Sequence, residues 1–91
     1  MTVRWTIQAL FDLRRLHGFL ATRNRKAAAR TVQILSDAPT RLVQNPRIGE
    51  RLSEFEPREI RRVLVGDCEM RYEIVDARIY VLRLWHTRED R

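Results

Sequence analysis

The sequence has one cysteine, Cys68, and no apolar run long enough to span a membrane. A single thiol excludes an internal disulfide framework and a cysteine-based metal site, and a free buried thiol is typical of a reducing cytosol. Residues 1–10 lack a basic segment followed by an apolar stretch, which is the pattern of a secretory signal. We therefore expect a cytoplasmic protein that contacts no membrane and holds no cofactor.

Acidic residues and lysine are scarce beside arginine. The chain has 18 Lys+Arg against 12 Asp+Glu, for a formal net charge of +6, and Lys26 is its only lysine. Arginine suits planar, bidentate contacts to phosphate or carboxylate, so a nucleic acid or an acidic protein would complement this chain. The charge does not choose between these partners, and high-GC coding would produce the same arginine bias.

The usual signatures of enzymes are missing as well. The sequence has no glycine-rich phosphate loop, no nucleophile elbow and no Cys–His pair. Glu54, Glu56 and Glu59 do not follow a metal-ligand spacing, and we interpret them as surface charge. A chain of 91 residues can bury one modest core, so a single domain over residues 1–91 is expected.

The first residues change from a strand pattern to a helical one. A short strand is predicted at residues 3–5, and Thr6 is suited to cap the following helix, because its hydroxyl can accept from an amide one turn later. That helix is predicted over residues 7–22. Its apolar residues mostly recur at three- and four-residue intervals and share one broad face: Ile7, Leu10, Phe11, Leu13, Leu16, Phe19 and Leu20.

A second helix is predicted over residues 26–43, with Asn24 as its N-cap. Pro39 lies inside this pattern, so a kink or a break is expected there. The two helices have short contact faces and are predicted to pack as an antiparallel hairpin. Residues 45–57, which contain two prolines and a glycine, are predicted to form a loop.

Residues 58–86 alternate between apolar and polar side chains, which predicts three antiparallel strands. Two-residue loops are predicted at Gly66-Asp67 and Asp76-Ala77. If both loops have this length, the register places Arg62 opposite Arg71, Val63 opposite Met70, Met70 opposite Arg83, and Arg71 opposite Leu82.

This register sorts the sheet into two unlike faces. The face expected to receive the helices carries Val63, Val65, Cys68, Met70, Tyr72, Ile74, Ile79, Val81 and Trp85, interrupted by Arg61 and Arg83. The opposite face carries Ile60, Arg62, Leu64, Glu69, Arg71, Glu73, Tyr80, Leu82, Leu84 and His86. The second set is too apolar for plain solvent and too charged for a core, so function is expected there.

Two features of this surface are candidates for chemistry. Arg62 and Arg71 would repel each other across the ladder, which suggests a phosphate or carboxylate site unless Glu69 and Glu73 neutralise them in an exposed charge lattice. His86 lies near Arg83 and Arg88 in sequence. A histidine beside arginines can act as general acid or base toward a phosphodiester, or it can be a structural group bonded to the backbone.

These residues resemble the ParE/RelE superfamily of type II toxin–antitoxin toxins, and ParE more than RelE. The likeness covers essentially the whole chain. Its elements, in order, are a tryptophan-terminated first strand, an A-x-x-D-L helix at residues 9–13, Arg58-Glu59 opening the sheet, Tyr72 within MRYEIV, and the closing VLRLWHTR.

The resemblance implies an α+β fold in the order β-α-α-β-β-β, with a helical hairpin packed on a small antiparallel sheet. It also implies an acidic, ParD-like antitoxin whose C-terminal segment wraps the toxin in a hetero-oligomer. An amphipathic segment of this kind can fill an apolar groove while its carboxylates pair with arginines. The residues expected to contact a partner are Arg61, Arg62, Arg71, Tyr80, Leu82, Arg83, Leu84, His86 and Arg88.

The two branches of the superfamily imply different targets. ParE-like toxins poison DNA gyrase, whereas RelE-like toxins are ribosome-dependent endonucleases that cut messenger RNA. The RelE-type site is similar in its use of arginines, so Arg62, Arg71, Arg83 and His86 would match it in part. Its lysines are missing here, and no tyrosine follows Tyr80. Gyrase is therefore the expected target, with ribosomal mRNA cleavage as the alternative.

Overall fold

The computed structural model describes residues 1–89, so the last two residues of the predicted domain lie outside the described residues. Two helices pack on one five-stranded sheet of order β1-β5-β4-β3-β2. The elements are β1 (Thr2–Trp5), α1 (Ile7–Ala21), α2 (Arg25–Gln44), β2 (Glu50–Arg51), β3 (Glu59–Val65), β4 (Cys68–Val75) and β5 (Arg78–His86), with a 3₁₀ turn at Ser53–Phe55. The predicted α+β class and the helical hairpin are confirmed.

The sheet is mixed, whereas a purely antiparallel sheet was predicted. β1 runs parallel to β5, with Thr2 opposite Arg78 and Trp5 opposite Val81. A strand of four residues carries no sequence signal for a partner more than 70 positions away. The short β2, which pairs antiparallel with β3, lies in a segment that was predicted as a loop.

The start of α1 follows the predicted cap, since the Thr6 hydroxyl accepts from the Ala9 N–H at 3.1 Å. Its buried residues are Ala9, Asp12 and Leu16. The predicted apolar face is wrong in its first turns, because Ile7, Leu10 and Phe11 are 70%, 50% and 58% exposed. The helix is rotated so that Asp12 faces β5, and these three side chains turn outward.

The second helix begins at the predicted cap, where the Asn24 side chain accepts from the Ala27 N–H at 3.0 Å. It then runs unbroken to Gln44, so Pro39 does not break the helix, and the alternative of a kink there stays a prediction. Pro39 lies in a buried stretch with Ala38. Burial of its ring offsets the loss of one backbone hydrogen bond, which is why packing prevails over local propensity.

Both β-hairpins have the predicted two-residue loops, with Val65 opposite Cys68 and Val75 opposite Arg78. Gly66 has φ 60°, which a glycine-first turn requires. The first hairpin also confirms the pairing of Val63 with Met70 and of Arg62 with Arg71.

The pairing of β4 with β5 departs from the prediction at a β-bulge. Tyr72 pairs with Val81, but its neighbour Arg71 pairs with Arg83, so Leu82 is an extra residue on β5. The predicted pairs of Met70 with Arg83 and of Arg71 with Leu82 are therefore wrong, and Met70 pairs with Leu84. A bulge reverses the alternation beyond it, because the side-chain period of a strand is two.

The faces of β5 exchange accordingly. Leu84 and His86 are buried on the helix side, at 0% and 5% exposure, although both were predicted on the outer face. Arg83 and Trp85 lie on the outer face, although both were predicted to face the helices. The core cluster comprises Ala9, Leu16, Leu35, Ala38, Leu42, Val65, Cys68, Met70, Tyr72, Ile74, Ile79, Val81 and Leu84.

The segment between α2 and β2 is tied to this core by Tyr72. The phenol donates to the Pro46 carbonyl oxygen at 2.6 Å and accepts from the Gly49 N–H at 3.0 Å. A Cβ at Gly49 would lie 2.7 Å from the Arg62 carbonyl oxygen, so only glycine fits this close approach. No helix within residues 1–89 is long and apolar enough to cross a membrane.

Candidate partner-binding surfaces

The bulge in β5 is held by Asp12 of α1. Its carboxylate is 2% exposed and accepts from the backbone N–H of Leu84 at 2.9 Å and from Nε of Arg83 at 2.7 Å. Arg15 donates to the same carboxylate and, at 2.9 Å, to the Leu84 carbonyl oxygen. β1 ends at Trp5 and gives β5 no partner beyond that point. Asp12 and Arg15 supply the missing hydrogen-bond partners for the backbone N–H and carbonyl oxygen of Leu84.

These contacts keep Asp12 ionised. Burial raises the pKa of its carboxyl, but hydrogen bonds from Arg83, Leu84 and Arg15 outweigh burial and hold the pKa below its ordinary value. Glu89, in the turn after β5, joins the same network, because Arg15 donates to it at 2.8 Å and lowers the pKa of that carboxyl. The orientation of the Arg83 side chain is thus set by its hydrogen bonds to Asp12 of α1.

Three arginines lie side by side on the outer face, one from each of the three long strands. Arg62 pairs with Arg71 and Arg71 with Arg83, and we call these three residues the arginine row. Glu69, which is 3% exposed, accepts from Arg62 at 3.1 Å and from Arg71 at 3.4 Å. Glu50 also accepts from Arg62 at 3.0 Å. Nearby carboxylates therefore offset much of the charge of the row.

Glu73 was considered as a neutralising partner of Arg62 and Arg71, but it pairs with Arg58. Its carboxylate accepts two hydrogen bonds from Arg58, at 2.8 and 2.9 Å. Of the two glutamates considered, Glu69 alone contacts Arg62 and Arg71 within residues 1–89, and Glu50 adds a further contact to Arg62. The expectation that this face binds a partner remains a prediction.

Aromatic rings flank the arginine row. The guanidinium carbon of Arg71 lies 4.8 Å from the ring centre of Trp85 and 5.6 Å from that of Phe55. Arg83 lies 5.0 Å from the same Trp85 ring. Nε of Arg71 is buried and has no hydrogen-bond partner among the described residues. Stacking and the bond to Glu69 therefore orient Arg71, and both arginine and tryptophan are residue types enriched at binding hot spots.

His86 lies away from this surface, on the helix side of the sheet. Its ring centre is 5.7 Å from that of Phe19, and its Nδ1 accepts from the backbone N–H of Arg88 at 3.1 Å. The ring is packed against α1 and caps the turn that follows β5. Of the four residues considered for a ribonuclease site, the structure brings Arg62, Arg71 and Arg83 together and places His86 on the opposite face.

The other predicted partner residues are scattered. Arg61 donates at 2.8 Å to the Gly49 carbonyl oxygen and helps to hold β2. Tyr80 and Leu82 are half-buried, and Arg88 is exposed in the turn after β5.

An apolar groove runs between the C-terminal half of α2 and β3. It encloses about 180 Å³ and is lined by Ala38, Arg41, Leu42, Ile48, Val63, Leu64 and Val65. Ile48 and Leu64, 61% and 62% exposed, are its most accessible apolar side chains, and Arg41 supplies the only charge of the lining. Exposed large apolar side chains beside a groove are typical of a binding site.

The groove lies beside an open strand edge. The N–H of Leu52 donates to the Ile60 carbonyl oxygen at 2.8 Å, so even-numbered residues of β3 direct their backbone groups toward β2. β2 pairs only with Arg61 and Arg62. The backbone of Leu64 therefore points to an edge at which no strand within residues 1–89 is paired. Such an edge can accept one further strand.

Comparison with known proteins decides the family. Residues 3–91 match the family model described as ParE toxin of type II toxin-antitoxin system, parDE. The chain belongs to the ParE toxin family. Its fold is similar to that of a solved structure described as "Chromosomal ParDE TA system from P. aeruginosa", with a TM-score of 0.78 and 19% identity over 94% of this chain and 95% of the other. None of the curated proteins matches this chain.

The groove of this ParE-family chain was missed by reasoning from the sequence. Leu64 was assigned to the outer face but not chosen as a contact residue, and Ile48 went unnoticed within a predicted loop. An isoleucine among polar loop residues was the available signal. Within the described residues, no cluster of His, Cys, Asp or Glu side chains could hold a metal ion.

Proposed function

We propose that this ParE-family toxin inhibits DNA gyrase and is neutralised by an acidic, ParD-like antitoxin whose C-terminal segment docks in the apolar groove. The observation that carries the antitoxin proposal is the groove itself, with about 180 Å³ of apolar space next to the open edge of β3 on a chain of net charge +6. The similar structure from P. aeruginosa is of a ParDE system, which supports the same kind of partner.

The chemistry of the groove specifies its ligand. Apolar side chains at alternate positions of an extended segment would fill the space between Leu42 and Leu64, while its backbone pairs with that of Leu64. A carboxylate on the same segment would bind Arg41 at the rim. The antitoxin would thereby cover the most exposed apolar side chains of this edge.

A Leu64→Glu variant tests this docking site. Leu64 is 62% exposed, so the substitution is compatible with folding, but it would bury a charge against the antitoxin. We expect affinity for the antitoxin to fall at least tenfold, measured by titration calorimetry. The matched control is Val75→Glu, at an exposed aliphatic residue at the other end of the sheet. Equal affinities for the two variants would exclude the groove as the docking site.

Gyrase is proposed as the target because ParE-like toxins act on it, and the geometry of the arginine row argues against the alternative of mRNA cleavage. A general acid or base must reach the same phosphodiester as the stabilising cations. His86 is 5% exposed on the face opposite the arginine row, and its Nδ1 already accepts a backbone N–H. The row and its stacked Trp85 are instead suited to a protein interface.

Controlled expression of the chain tests the target. Gyrase inhibition predicts chromosomal breaks and an SOS response while transcripts stay intact. Codon-phased cuts in mRNA with intact DNA would instead establish the ribonuclease. Purified gyrase with plasmid DNA provides the direct assay, in which added toxin should increase the cleaved, linear product and pre-bound antitoxin should prevent that increase.

A further inference from the structure

The helical hairpin contains a long segment without acidic residues. Between Asp12 and Asp37, residues 13–36 include six Lys or Arg residues and no Asp or Glu. Four of the six cluster where α1 turns into α2, and we call them the basic tip: Arg23, Arg25, Lys26 and Arg30. The tip therefore holds a local excess of positive charge.

The cations of the tip are accessible. All four are exposed, and none makes an ion pair within residues 1–89. The arginine row differs in this respect, because each of its members has a carboxylate partner. Arg23 of the tip stacks on an aromatic ring, with its guanidinium carbon 5.5 Å from the Phe19 ring centre.

Helix stability does not explain this charge. Arg25 and Lys26 occupy the first turn of α2, which contains no acidic residue. The positive end of the helix dipole disfavours cations there, so local electrostatics would select Asp or Glu. A sequence that breaks a local rule without a compensating contact indicates a role in binding.

The composition of the tip discriminates between anionic partners. A peptide needs several apolar anchors, whereas Ile34, 40% exposed and one turn beyond Arg30, is the one large apolar side chain exposed between residues 12 and 47. A single-stranded nucleic acid needs a free aromatic face, whereas Phe19 is half-buried between Arg23 and His86. What remains is a group of exposed cations without a free aromatic face, which suits the phosphates of a duplex.

We propose that the basic tip binds the phosphate backbone of double-stranded DNA without regard to sequence. This surface is separate from the apolar groove, since Lys26 and Arg41 are 15 residues apart on one helix, or roughly 22 Å. The proposal therefore does not depend on the antitoxin site. It gives the toxin a direct contact with DNA in addition to any contact with a protein target.

Fluorescence anisotropy of the full chain with a labelled duplex of about 30 base pairs, between about 50 and 200 mM salt, tests the proposal. Each neutralised phosphate contributes about −0.9 to the slope of log K against log salt, so four cations predict a slope near −4. In Arg25→Gln/Lys26→Gln/Arg30→Gln we expect a slope smaller by about 3 and affinity roughly 100-fold lower at 0.1 M salt.

The control is Arg4→Gln/Arg51→Gln/Arg78→Gln, which removes the same charge from exposed arginines outside the tip. We expect its affinity to stay within about threefold of the parent, because screening weakens distant charges. Unchanged urea midpoints establish that both variants fold. Equal weakening of both variants, or a parent chain that does not bind DNA, would overturn the proposal. A tip variant that keeps DNA affinity but loses antitoxin affinity would overturn it in favour of a peptide surface.

Discussion

Replacement of Asp12 by asparagine tests whether the carboxylate on α1 holds the bulge in β5. Asparagine keeps the size of the side chain but removes its charge. Its amide oxygen can still accept from the Leu84 N–H, while the charge-assisted bonds from Arg83 and Arg15 are lost. The substitution therefore isolates the ionic part of the contact between helix and bulge.

The magnitude follows from the burial of each partner. Removal of one member of a buried ion pair costs about 3–5 kcal/mol. Arg83 and Arg15 are each 39% exposed, so water can rehydrate them and the loss is smaller. We expect about 2–3 kcal/mol, the upper part of the range of about 1.5–3 kcal/mol for hydrogen bonds to a charged group. In a domain of this size the melting temperature would fall by roughly 10–20 °C.

Urea unfolding followed by tryptophan fluorescence measures this loss, since Trp85 lies beside Arg83. The variant should shift the midpoint without changing the m-value. Asp37→Asn is the matched control, because that exposed carboxylate accepts from Gln33 of the same helix, at 3.1 Å, and from no other side chain within residues 1–89. If Asp12→Asn stays within about 0.5 kcal/mol of the parent, the ordinary range for surface substitutions, Asp12 does not hold the bulge.

Three further results are expected. The lowered pKa of Asp12 stabilises the fold above about pH 4, and this contribution is lost as pH falls through the lowered value, so acid titration should close the stability gap between the parent and Asp12→Asn. Tyr72→Phe should cost about 1–3 kcal/mol in urea unfolding, because the Gly49 N–H and the Pro46 carbonyl oxygen lose their partner; a smaller loss would mean that water replaces the phenol. Burial raises the pKa of Cys68 to about 11, so iodoacetamide at about pH 8 should label it slowly in the native chain and rapidly in urea, and fast native labelling would contradict its burial.

Features set by neighbouring residues were predictable from the sequence. Thr6 and Asn24 cap the helices because a side-chain oxygen next to a helical pattern meets the first free amides. Gly66 marks the first hairpin because few other residues adopt its positive φ. In each case the physical cause lies within about four residues of its effect, so one sequence suffices to find it.

The bulge had no such local signal. The carboxylate that stabilises it, Asp12, is 72 residues from Leu84 in the chain. The alternation of side chains in β5 is compatible with a regular strand and with a strand that has an extra residue at Leu82. The groove was hidden for the same reason, since its walls come from α2, β3 and the loop that holds Ile48. Contacts over this separation depend on tertiary packing.

The bulge decides which chemistry the outer face offers. With regular pairing, His86 would lie on the same face as Arg62 and Arg71, which is the arrangement a nuclease needs. The extra residue turns His86 into the helix layer and places Trp85 against Arg71 instead. A cation stacked on an aromatic ring can bind a surface, but it cannot transfer a proton at neutral pH, since arginine stays protonated. The single-residue shift in β5 thus separates His86 from the arginines of the outer face and sets a tryptophan among them.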